Sequence, residues 1–91
     1  MSVNVRVPTI LRTYTGGQSA VTADGETLSQ ILDSLDASYA GIKGRIVDEQ
    51  GELRRFVNVY VGNDDVRFLD GLDTKVADGS EVSVIPAVAG G

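Results

Sequence analysis

The sequence contains no cysteine, no histidine and no tryptophan. Without cysteine there are no disulfides and no thiolate metal sites. Losing histidine as well removes the two side chains most used for acid–base and nucleophilic catalysis. An enzyme built here would depend on carboxylates, serine, lysine or tyrosine, in a chain of 91 residues too small for a roomy pocket. The expectation is a non-enzymatic protein. Lysine is scarce, with only Lys43 and Lys75, and the basic residues are scattered. No phosphate-tracking stripe results, so nucleic acid is not an expected partner. No apolar run nears the roughly 20 residues of a membrane span. The opening Met1-Ser2-Val3-Asn4-Val5-Arg6 has no apolar signal core. Cytoplasm is the expected compartment and a membrane is not an expected partner.

What remains has the values of a globular domain: 42% hydrophobic, 23% charged, net charge −5. An acidic small protein suits a basic partner surface. The size allows one domain, burying about 60–65% of its unfolded surface.

Val3, Val5 and Val7 alternate with polar residues, which predicts a half-buried strand closed by Pro8. Gly16-Gly17 ends a turn cluster, and a second strand is expected from about Gln18 to Ala23, making a hairpin. Thr27, with Gln30 three residues on, fits a capping box. Leu28, Ile31, Leu32, Leu35 and Tyr39 then share one helical face, so a helix is expected over Leu28 to Tyr39, stopped by Gly41. Arg45 to Val47 reads as a short strand and Leu53 to Val61 as a longer one. In the latter, Val57, Val59 and Val61 point one way and Phe56, Asn58 and Tyr60 the other. Val66 to Leu69 reads as extended, and Glu81 to Ile85 as the last strand. One helix over a mixed sheet is an α+β two-layer fold. The sheet's other face then retains Phe56, Tyr60, Ile10 and Leu11 as a candidate docking patch, unless loops cover them.

Minor motifs carry little. Gly41-Ile42-Lys43-Gly44 matches a nucleic-acid clamp but follows a helix stop in an acidic chain. Asp64-Asp65, with Asp70 and Asp73, lacks the spacing of a calcium loop and reads as solvated turns. Arg54 and Arg55 either steer a partner or form a solvated edge.

The last stretch, Ile85-Pro86-Ala87-Val88-Ala89-Gly90-Gly91, organises the reading. Pro86 lacks the N–H that continues a ladder, so the expected division is a domain over 1–86 and a flexible tail over 87–91. Extended, Ala87 to Gly91 would reach about 17 Å. Small side chains suit a narrow channel, and Gly91 would present a free carboxylate; a frayed end is the alternative.

These segments together resemble the ubiquitin-like sulfur carriers of the MoaD/ThiS family. The resemblance rests on Val3-Asn4-Val5-Arg6-Val7-Pro8, on Phe56-Val57-Asn58-Val59-Tyr60-Val61 with Asn63, and on Asp78-Gly79-Ser80-Glu81-Val82 leading to the Gly-Gly tail. Pro8-Thr9-Ile10-Leu11-Arg12 and the ending place it nearest the branch serving cysteine biosynthesis. Ala87 stands where proline often follows in the family. The resemblance implies a β-grasp fold with a thiocarboxylate carried on Gly91 and a tail, Ala87, Val88, Ala89 and Gly90, presented to partners. It implies an activating enzyme using ATP and magnesium. It also implies a cysteine synthase holding an aminoacrylate on pyridoxal phosphate, and a metalloprotease that releases cysteine. The carrier itself binds no cofactor and no metal. Molybdopterin or thiamin synthesis, and protein modification through Gly91, stay open as alternative roles.

Overall fold

The computed structural model describes residues 2–86. In chain order it contains β1 (Ser2–Arg6), β2 (Ala20–Asp24), α1 (Leu28–Ser38), α2 (Lys43–Ile46), β3 (Val57–Val61), β4 (Asp64–Asp65) and β5 (Glu81–Pro86). Short 3-10 segments cover Thr9–Thr15, Val66–Phe68 and Gly71–Asp73. The sheet order is β2-β1-β5-β3-β4. β5 lies at the centre, parallel to β1 and antiparallel to β3. This is the expected β-grasp: a hairpin, one main helix across the sheet, and a last strand inserted between the first hairpin and β3.

Alternation decides which face is buried. Val3 and Val5, Val21 and Ala23, Val57 and Val59, and Val82 and Val84 all turn inward. Leu28, Ile31, Leu32 and Leu35 of α1 meet them from above, each almost fully buried. Each such side chain contributes roughly 1.5–3 kcal/mol, so this seam holds helix and sheet together. Tyr39 packs against it, partly buried.

The start of α1 differs in detail from a capping box. Thr27 Oγ1 accepts from Gln30 N at 3.3 Å, but Gln30 Oε1 accepts from Glu26 N, one residue earlier than that motif requires. A second free amide of the first turn, Leu28 N, donates to the Thr74 carbonyl at 3.0 Å. Gly25 adopts φ +155°, and a Cβ there would lie 2.8 Å from Ile31 N.

Three local expectations are corrected. Residues 43–46 form a helical turn and not a strand. Asp36 Oδ1 accepts from Gly41 N and Lys43 N, restarting the helix, and Ile42 and Ile46 enter the core four residues apart. The strand expected from Leu53 begins only at Val57, because Arg54 N donates to the Ile46 carbonyl and holds 53–56 against α2. Val66–Phe68 is a 3-10 turn and not extended, capped by Asp65 Oδ1 on Arg67 N. The loop after β1 is also 3-10, and it buries Leu11.

Candidate functional site: the exit of the central strand

Pro86 is the last residue of β5 and lies opposite Val57, the first of β3. The described part of β5 therefore ends at the corner where β3 begins. The predicted tail and reactive end, Ala87, Val88, Ala89, Gly90 and Gly91, lie outside the described residues. The geometry that the structure supplies is that of the platform beneath them.

One recess is lined by Pro86 and another by its register partner Val57. On the β1 side is a groove of about 410 Å³ between the first 3-10 segment and β5, where Ile10 and Arg12 face Ile85 and Pro86. On the β3 side is a hollow of about 280 Å³ lined by Asp48, Arg54, Arg55, Phe56 and Val57. The candidate patch thus divides. Phe56 (63% exposed) belongs to the second recess and Ile10 (62% exposed) to the first. Tyr60 is half-buried on the open face, beside Ser83 in register. Leu11 is a correction: at 7% exposure it belongs to the core, because the 3-10 turn rotates it under the sheet while Ile10 faces out.

Two contributors escaped the sequence reading. Ile85 is 47% exposed, next to Asn58 on the open face. The alternation of β5, with Val82 and Val84 inward, carried that signal. Arg67 had none. Its guanidinium donates to Asn58 Oδ1 and to the Arg54 carbonyl, tying the turn after β4 to the start of β3. Away from the corner, Arg45 Nε donates to Tyr14 Oη at 2.8 Å, which raises the already high arginine pKa. Of the acidic turns, Asp65 serves as a cap, and Asp70 N donates to Thr74 Oγ1. Among the described residues no group of three or more metal-ligating side chains assembles, and no helix is long and apolar enough to cross a membrane.

Among the described residues, the groove is lined by Thr9, Ser19 and Ser83 hydroxyls beside its apolar side chains, and the hollow by Asp48 beside two arginines. The corner offers an apolar, arginine-edged support for a segment that runs on beyond Pro86.

Comparison with known proteins agrees with this geometry. The sulfur carrier protein CysO of Mycobacterium tuberculosis is 53% identical over 93 aligned positions, covering 100% of both chains. Small archaeal modifier protein 3 of Haloferax volcanii is 46% identical over 68 positions, covering 75% of this chain and 73% of that one. A chain in the crystal structure of the Amycolatopsis orientalis BexX/CysO complex superposes with a TM-score of 0.92 at 52% identity, covering 98% of this chain and 99% of that one. The model of the ThiS family matches residues 5–91. With its β-grasp sheet and a match running through the terminal glycines, the chain belongs to the ThiS family.

Proposed function

We propose that this protein is a sulfur carrier whose Gly91 carboxylate is the group that is activated and sulfurated, most directly for cysteine biosynthesis. The observation that carries the reading is the 53% identity to a CysO sulfur carrier over the full length of both chains. The family match extends through Gly91 itself.

The chemistry follows from the electrophile. A carboxylate resists nucleophilic attack at neutral pH. An activating enzyme joins it to the α-phosphate of ATP, with magnesium balancing charge, and pyrophosphate leaves. A sulfur donor then displaces AMP and leaves a thiocarboxylate. Glycine has no side chain to obstruct either attack. The partner supplies positioning and charge stabilisation, which suits a carrier lacking histidine and cysteine. The thiocarboxylate sulfur then adds to the aminoacrylate that a cysteine synthase holds on pyridoxal phosphate. The new cysteine, attached through Gly91, is released by a metalloprotease. The BexX/CysO complex supports the expectation that such a carrier binds another protein.

Intact-mass spectrometry of protein purified from its own cells tests this reading. An oxygen-to-sulfur exchange, or an added cysteine residue, at Gly91 is expected; a uniformly unmodified population with none formed on incubation with the activating enzyme overturns it. A second reading, a protein modifier joined through Gly91 to lysines, is favoured by the likeness to the archaeal modifier. Isopeptide adducts in the same cells would identify it.

A further inference from the structure

The net charge of −5 describes the chain as a whole and not the corner where β5 ends. Arg6 and Arg12 line the groove that contains Pro86, and Arg54 and Arg55 line the hollow beside Val57, its register partner. Half of the eight basic residues therefore border this one corner. The carboxylates nearby are partly committed. Asp48 Oδ1 accepts from Gln50 N and Glu52 N within its own loop. Glu81 meets Arg6 at 3.8 Å with both side chains at least half exposed, a contact that solvent screens.

Among the described residues, the groove also contains a stretch of strand edge that β1 does not pair. Glu81 turns its carbonyl to Gly62 N in the direction of β3, while Ser80 turns its carbonyl to Asn4 N of β1. Alternation then points the Val84 carbonyl toward β1. In β1, Val7 N donates to Ser19 on the β2 side, so the next position, Pro8, is the one that would serve Val84. Pro8 has no N–H. The chain turns away there into the 3-10 segment, and the groove opens beside Ser83 to Pro86.

We propose that this groove docks an acidic, extended segment of a partner protein, three to four residues long at about 3.3 Å each. A backbone N–H of that segment pairs with the Val84 carbonyl, an apolar side chain rests on Ile10 and Ile85, and a carboxylate meets Arg12 and Arg6. Edge pairing gives the affinity and the arginines select the charge. Arg12 is held for this role, since its Nε donates to the Val7 carbonyl at 3.2 Å and leaves the other guanidinium N–H groups to the groove. The partner surface that fits here is acidic, opposite to what net charge alone suggests.

Nuclear magnetic resonance with the full-length ¹⁵N-labelled chain tests it. The probes are acetyl-Val-Glu-Val-Glu-Val-amide and its glutamine and lysine analogues. The acidic peptide should shift the amides of Val7, Thr9 to Arg12 and Ser83 to Ile85, and bind about tenfold more tightly than the glutamine analogue. The lysine analogue should leave the spectrum unchanged. Arg12→Glu should remove the shifts; because Arg12 also braces Val7, the exposed Ile10→Asp provides a second variant with the same expected loss. Arg54→Glu, in the hollow beside Val57, should bind normally. Shifts confined to Phe56 and Tyr60, equal binding of all three peptides, or no shifts overturn the proposal. So do equivalent shifts from an oligothymidylate of similar length, or shifts on concentrating the chain alone, which would assign the groove to nucleic acid or to a second copy. None of these readouts uses Gly91, so failure here leaves the sulfur-carrier reading standing, and the reverse.

Discussion

Val57 lies opposite Pro86, so the described part of β5 ends at the corner where β3 begins, just after Phe56. The register places the exposed Phe56 next to the pairing of Val57 with Pro86.

Phe56→Ala should therefore separate docking from folding. Its ring is largely solvated, so the melting temperature should stay within the small range of surface substitutions, about 0.5 kcal/mol. Binding to the activating enzyme, followed by calorimetry, should weaken about tenfold or more if the aromatic ring anchors the interface. Tyr60→Ala should do the same with a somewhat larger stability cost, since it is half-buried. Unchanged binding by both folded variants would place the docking face elsewhere.

The seam beneath the helix predicts an uneven response to truncation. Leu32 is fully buried, and Leu32→Ala should cost about 2–5 kcal/mol by leaving a cavity. Ser29→Ala, one turn edge away, should cost little. Equal, small losses in denaturant melts would contradict the packing of α1.

Gly25 should tolerate no side chain. Its φ of +155° and the 2.8 Å approach to Ile31 N leave a methyl group nowhere to go without moving the start of α1. Gly25→Ala should cost about 2 kcal/mol or more, whereas Gly44→Ala, with open space around it, should be nearly silent in the same thermal melts.

Removal of Gly90-Gly91 tests the carrier chemistry. The two residues have no side chains to bury, so the melting temperature should hardly move. ATP–pyrophosphate exchange with the activating enzyme should vanish, because the carboxylate would fall about 7 Å short. A misplacement of even about 1 Å can cost two orders of magnitude in rate. Addition of one alanine after Gly91 should be equally silent in the melt and should also block the reaction. Normal turnover of the extended protein without trimming would show that Gly91 is not the reacting residue.

The sequence was most readable where one local signal had no competitor. The valines of β1 and β3 and the stripe of α1 each follow a single period, and each packs as that period requires. It was least readable where a distant group chose the conformation. Ile42 and Ile46 have helical spacing, but four residues are too few to set a period; the Asp36 carboxylate, capping from the preceding helix, decides the matter. Leu11 and Ile10 are neighbours of equal hydrophobicity, and only the 3-10 turn after Pro8 determines which is buried. The arginines of the corner come from segments around residues 6, 12 and 54, so no window of sequence brings them together.

The central place of β5 has a mechanical consequence. β5 runs parallel to β1, whose start lies near the N-terminus, and antiparallel to β3 on its other side. Tension applied along the tail while the N-terminus is held drives the two terminal strands past each other lengthwise. The load is then shared by several ladder hydrogen bonds at once, instead of opening them one after another as at a frayed edge. Force applied at the C-terminal end of β5 should therefore leave the domain folded up to a higher load than force that peels an edge strand. Single-molecule stretching between the two ends should show a higher rupture force than pulling from an internal point that peels β4 off β3, a pairing of only two residues.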